Sequence, residues 1–122
     1  MNTPIEAENA RELSPQDEMA DVRRVIDGLD DEIVELFAKR QRQIERAARV
    51  KPLLGVPALV PERVDEVIAR VLGAARREGL SMELALKLWS TTIEWSIQYE
   101  EKLMGDRAPK SLSEDEGTGD GG

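Results

Sequence analysis

The sequence predicts an all-α fold of three helices, the first of them too long to be covered by its own domain. Apolar residues recur in steps of three and four through three segments, and prolines and glycines such as Pro15, Pro52, Pro61, Gly79 and Gly105 fall at the segment boundaries. The third observation is the uninterrupted length of the first segment, which argues for a second copy of the chain.

The first helix opens at Ser14, a capping residue, with Pro15 suited to the first helical position and Asp17 and Glu18 favoured by the positive end of the helix dipole. Its apolar positions run Met19, Val22, Ile26, Leu29, Ile33 and Leu36, then Ile44, Ala47 and Ala48. Gly28 is a local weakness, and Pro52, which disfavours helical geometry at Lys51, is the expected stop. A helix over residues 15–51 spans ~55 Å at 1.5 Å per residue. A compact body of ~85 residues has a radius of gyration of only ~12 Å. The overhanging apolar seam therefore needs a partner, and a second copy supplies one.

The segment PLLGVPALVP, residues 52–61, reads as an ordered apolar loop. The second helix is expected from Glu62 to Glu78, with Val64, Val67, Ile68, Val71, Leu72 and Ala75 facing inward, and Gly79 ends it. Ser81 then caps a third helix, with Glu83 in its first turn, that continues to about Met104. Its inner side is expected to carry Leu84, Leu88, Trp89, Thr92, Ile93, Trp95, Ser96 and Leu103.

Residues 1–13 and 106–122 are acidic and poor in apolar content, and are expected to be disordered appendages of a helical domain at 14–105. The net charge of −8 resides there: residues 1–21 hold six acids and one base, residues 106–122 five acids and two bases, and the middle fourteen of each. No basic footprint for nucleic acid is present, and no apolar run is long enough for a membrane span. A cytoplasmic protein is expected. The chain has no Cys and no His, which excludes thiol nucleophiles, Cys/His zinc sites and imidazole-based triads. Any chemistry rests on Arg, Lys, carboxylates and hydroxyls, and neither a metal nor a cofactor is expected.

Polar residues interrupt the apolar stripes at a few places. Arg40 and Lys51 fall in register with the seam of the first helix, and Arg23 borders it near its start. Each either snorkels to water, pairs with a protein acid, or meets an anionic ligand. On the third helix Ser96 and Glu100 stand at i, i+4. Glu100 either lies at the periphery and pairs with Lys102 or another surface base, or converges with Arg40 and Lys51 on a receptor for a compact polyanion. Asp27, Asp30, Asp31, Glu32 and Glu35 form an acidic run, most of it on the face opposite the seam, and read as a solvated helix face. Trp89, Trp95 and Tyr99 read as core and interface aromatics.

The run VRRVIDGLDDEIVELFAKR (22–40), Lys51, PERVDEVIARV (61–71), GL (79–80) and WSIQYEEKL (95–103) together resemble the all-helical chorismate mutase family over about residues 20–104. That resemblance implies an intertwined homodimer whose long first helices are shared, acting on a small dicarboxylate in aromatic amino acid biosynthesis by the shikimate pathway. Arg23 would reach across the interface to one substrate carboxylate and Arg40 would bind the other. Lys51 would donate to the ether oxygen and a carboxylate, Arg63 would line the ring side, Ser96 would touch a carboxylate, and Glu100 would face the ether oxygen. The implied reaction is the Claisen rearrangement of chorismate to prephenate. Lys51, Glu100 and Arg40 would carry the catalysis.

Two positions depart from the common pattern. Glu100 stands where many members have Gln, and it must be protonated to help, because a carboxylate there repels developing negative charge. Val64 stands where many carry a Glu that accepts from the ring hydroxyl, and Val cannot accept. PERV also resembles isochorismate pyruvate-lyases, and the Arg–Val step with a helix-3 Glu resembles 4-amino-4-deoxychorismate mutases. A non-catalytic helical dimerisation or binding module is the alternative of another class.

Overall fold

The computed structural model describes residues 13–105, and among them three helices and no strand: α1 (Pro15–Leu54), α2 (Pro61–Glu78) and α3 (Met82–Gly105). The all-α expectation holds. The expectations for the two tails lie outside the described residues, apart from Leu13. The chain divides into two units, Met1–Arg40 and Gln41–Gly122, and α1 runs from one into the other.

The first unit contains the beginning of α1. Ser14 caps it as expected, its Oγ accepting from the Asp17 N–H at 3.0 Å, with Asp17 and Glu18 in the first turn. Arg24 pairs with Asp21, and Lys39 lies 3.9 Å from Glu35. The apolar stripe is uncovered in the single chain: Leu29 is 50% and Ile33 49% exposed, and Leu36 is 63% exposed. That is the seam for which a second copy is expected from the sequence.

The second unit holds the end of α1, the connecting loop, α2 and α3. The stop of α1 differs from the expectation, since the helix continues through Pro52 to Leu54. Gly55 terminates it instead, with φ +69°, the Gly55 N–H donating to Pro52 O at 3.2 Å and the Val56 N–H to Lys51 O at 2.9 Å. This is the Schellman pattern, in which a left-handed glycine lets the chain turn back on the last carbonyls. Pro52 in the final turn removes one N–H and leaves Lys51 helical, so the glycine decides the boundary. α2 starts with Pro61 at its first turn and ends at Gly79, whose φ is +74°, with the Leu80 N–H on Ala75 O at 2.8 Å. α3 is capped by Ser81, its Oγ accepting from the Leu84 N–H at 3.1 Å.

α2 packs against α3. The buried apolar residues of the unit are small: Ala48, Ala58, Ala75 and Ala85, with Ile93. Alanines bring helix backbones close but bury little area, and no large side chain among the described residues is fully enclosed. Val64, Val67, Ile68, Val71 and Leu72 are half-buried, on the side expected for them. On α3 the expected inner set is only partly covered, because Leu84, Leu88 and Trp95 stay 43–47% exposed. No helix among the described residues is long and apolar enough to cross a membrane.

Candidate active site

Lys51 occupies the last turn of α1, where a cation complements the helix dipole. The Schellman turn folds the following loop back, so that the Lys51 ammonium donates to the carbonyl oxygen of Ala58 at 2.8 Å. It also donates to Glu100 Oε1 at 2.7 Å. The Lys51 side chain is 21% exposed and that of Glu100 6%. Of the two readings of Glu100, the peripheral one with Lys102 is therefore replaced by a buried ion pair with Lys51. Such a pair persists in a low-dielectric setting only with good geometry and further hydrogen bonds, and the Ala58 carbonyl supplies one of these. An ammonium has three protons, and two are engaged here.

Ser96 lies one turn before Glu100 and is also buried, at 4% exposure. Its Oγ–H donates to the Thr92 carbonyl at 2.8 Å, and Thr92 in turn donates to the Leu88 carbonyl at 2.7 Å. The buried face of α3 thus presents Ile93, Ser96 and Glu100 in succession.

Arg63 is exposed, its guanidinium 3.1 Å from Glu66 on the same helix. Val64 is half-buried and lines a cavity of about 510 Å³ together with Leu59, Ile68, Ile93 and Ile97. Arg23 and Arg40 belong to the first unit, where Arg23 is exposed and Arg40 half-buried. The structure thus brings Lys51 and Glu100 into contact with each other, with Ser96 on the same helical face as Glu100.

One polar pair was not foreseen. The Tyr99 hydroxyl donates to Glu45 Oε2 at 2.8 Å, and Gln41 Nε2 donates to the same oxygen at 3.3 Å. The Tyr99 hydrogen bond, followed by that of Gln41 and by the charges of Arg49 and Arg42, holds the Glu45 carboxyl below its ordinary range against the opposing effect of burial. The same bond pushes the Tyr99 hydroxyl up. Tyr99 also stacks on Trp95, with ring centroids 4.7 Å apart at 26°. The usable signal was the tyrosine itself, since a phenol on a half-apolar face requires an acceptor.

The acidic run at Asp27, Asp30, Asp31, Glu32 and Glu35 is exposed. Among the described residues no group of three or more acids could hold a metal ion. What the second unit offers is a largely buried ammonium and carboxyl in contact, with the Ser96 hydroxyl one turn away on the same helix; the cavity beside Val64 is lined by none of these three residues. That combination suits hydrogen bonding and charge stabilisation at a ligand oxygen, without a nucleophile.

The family profile described as chorismate mutase type II matches residues 22–101. The chorismate mutase of Methanocaldococcus jannaschii is 23% identical over 95 residues, covering 78% of this chain and 96% of that protein. The T-protein of Haemophilus influenzae is 33% identical over 72 residues, 59% of this chain but only 19% of that protein. No solved structure matches the chain significantly. With the family profile covering more than half of its length, the chain belongs to the chorismate mutase type II family.

Proposed function

We propose that this isomerase rearranges chorismate to prephenate with Lys51 and Glu100 at the ether oxygen. The observation that carries the reading is the buried contact between these two side chains, 2.7 Å apart. In the rearrangement a C–O bond breaks as a C–C bond forms, and negative charge grows on the ether oxygen. Donors fixed at that oxygen stabilise the transition state more than the ground state. Lys51 is one such donor. Glu100 becomes the second when the carboxyl carries a proton.

The remaining assignments are part of the same proposal. Arg40 and Ser96 hold substrate carboxylates, Arg63 and Val64 line the ring side, and Arg23 arrives from the partner subunit of a homodimer. The dimer is supported by the uncovered stripe of α1, where Leu29 and Ile33 are each about half exposed. Two arginines clamping two carboxylates fold the substrate toward its reactive conformer, a positioning contribution separate from that of Lys51 and Glu100.

Val64 favours a second reading on the same scaffold, because an apolar side chain there cannot accept from a ring hydroxyl. The test is to incubate the protein separately with chorismate, isochorismate and 4-amino-4-deoxychorismate and identify the products. Prephenate from chorismate as the fastest conversion supports the proposal. Faster release of pyruvate from isochorismate, or faster rearrangement of the amino compound, transfers the assignment to that reaction. No conversion of any of the three, with no rise in melting temperature on adding a dicarboxylate transition-state mimic, favours a binding module instead.

A further inference from the structure

Glu45 and Tyr99 lie outside the set proposed to touch the ligand, yet each neighbours a member of it. Tyr99 immediately precedes Glu100 on α3, and Glu45 stands six residues before Lys51 on α1. Between the two α1 residues is Ala48, wholly buried. The end of α1 and the end of α3 are therefore bridged at two levels, by Tyr99 donating to Glu45 at 2.8 Å and by Lys51 donating to Glu100 at 2.7 Å.

The two attachments act on different directions of α3. Consecutive residues of an α-helix point about 100° apart around its axis. One bridge alone allows α3 to roll, whereas bridges at positions 99 and 100 together oppose roll in both senses. Ala48 is too short to do this by interlocking. Tyr99 is itself held from two sides, by the Trp95 ring stacked on it and by Glu45, whose carboxylate is steadied by Gln41.

We propose that the Glu45–Tyr99 hydrogen bond is a positioning device: it locks the roll of α3 against the last turns of α1 and so aims the Glu100 carboxyl and the Lys51 ammonium. Neither Glu45 nor Tyr99 belongs to the set proposed to touch the reacting atoms. The inference rests on the reading that Lys51 and Glu100 serve the ether oxygen, and it names two positions that this reading leaves without a role.

The test uses full-length protein and compares Tyr99→Phe, Glu45→Leu, Glu45→Gln and the Tyr99→Phe/Glu45→Leu double variant. Displacements on the order of 1 Å cost up to about a hundredfold in rate, so a loosened helix is expected to lose about tenfold in kcat. Tyr99→Phe and Glu45→Leu should each show that loss, with a smaller change in KM. Glu45→Gln should keep activity within about twofold, because its amide oxygen still accepts from the Tyr99 hydroxyl. The double variant should be no slower than either single, since both remove one bond. Melting temperatures are measured alongside. A Tyr99→Phe protein with lowered melting temperature but wild-type kcat overturns the inference, as does a double variant whose loss is the product of the two singles. Wild-type protein without turnover of chorismate overturns the underlying reading as well.

Discussion

Lys51 and Glu100 are 49 residues apart in the sequence and 2.7 Å apart in space, and the carboxyl is nearly enclosed. Removing either partner has unequal consequences. Lys51→Met leaves a buried carboxyl without its ammonium, which costs about 3–5 kcal/mol if the charge is retained. Glu100→Gln keeps an acceptor for the Lys51 ammonium and should cost about 1 kcal/mol. Urea unfolding of both variants checks the asymmetry; equal losses would show that the pair is not isolated from water. In turnover, Lys51→Met should lose about 10²–10³-fold in kcat as one fixed donor is removed.

The Glu45–Tyr99 bond predicts how stability varies with pH. Glu45 is held below its ordinary value of 4.5, so its contribution is present above that value and is lost as pH falls through the lowered one. Tyr99 is raised above its ordinary 10.0, so its contribution is present below that value and is lost as pH rises through the raised one. Tyr99→Phe removes the shared bond. Its melting temperature should therefore change less with pH than that of the wild type at both the acid and the alkaline end. Parallel curves for the two proteins would mean that the bond does not form in solution.

These pairs also show what could be read without coordinates. Helix starts at Ser14 and Ser81 and the stop at Gly79 are local chemistry, set within five residues, and each was legible. The end of α1 was misjudged because Pro52 and Gly55 are both stop signals, and only the backbone shows that the proline fits the final turn while the glycine turns the chain. Glu100 could be seen as anomalous on its stripe, but a helical pattern does not distinguish Lys51 from Lys102 as its partner. Glu45 was missed for the opposite reason: charged residues on α1 are numerous, and only the Tyr99 hydroxyl 54 residues away sets this one apart.

The proposed dimer predicts complementation. Arg23→Ala and Arg40→Ala proteins, each inactive alone, should regain activity when unfolded together and reassociated, because heterodimers carry one intact site. Turnover of the mixture against each parent is the measurement. Failure despite confirmed chain exchange would place Arg23 in the site of its own chain.

The donor role of Glu100 is tested most directly by the chemical step measured from about pH 5 to 9 for wild type and Glu100→Gln, with substrate saturating at each pH. If the neutral carboxyl donates to the ether oxygen, the wild-type rate falls toward high pH, while the amide variant remains active and its profile stays level there. A wild-type rate that is flat at high pH, together with a folded but inactive Gln variant, would contradict the account and assign Glu100 its role as an anion.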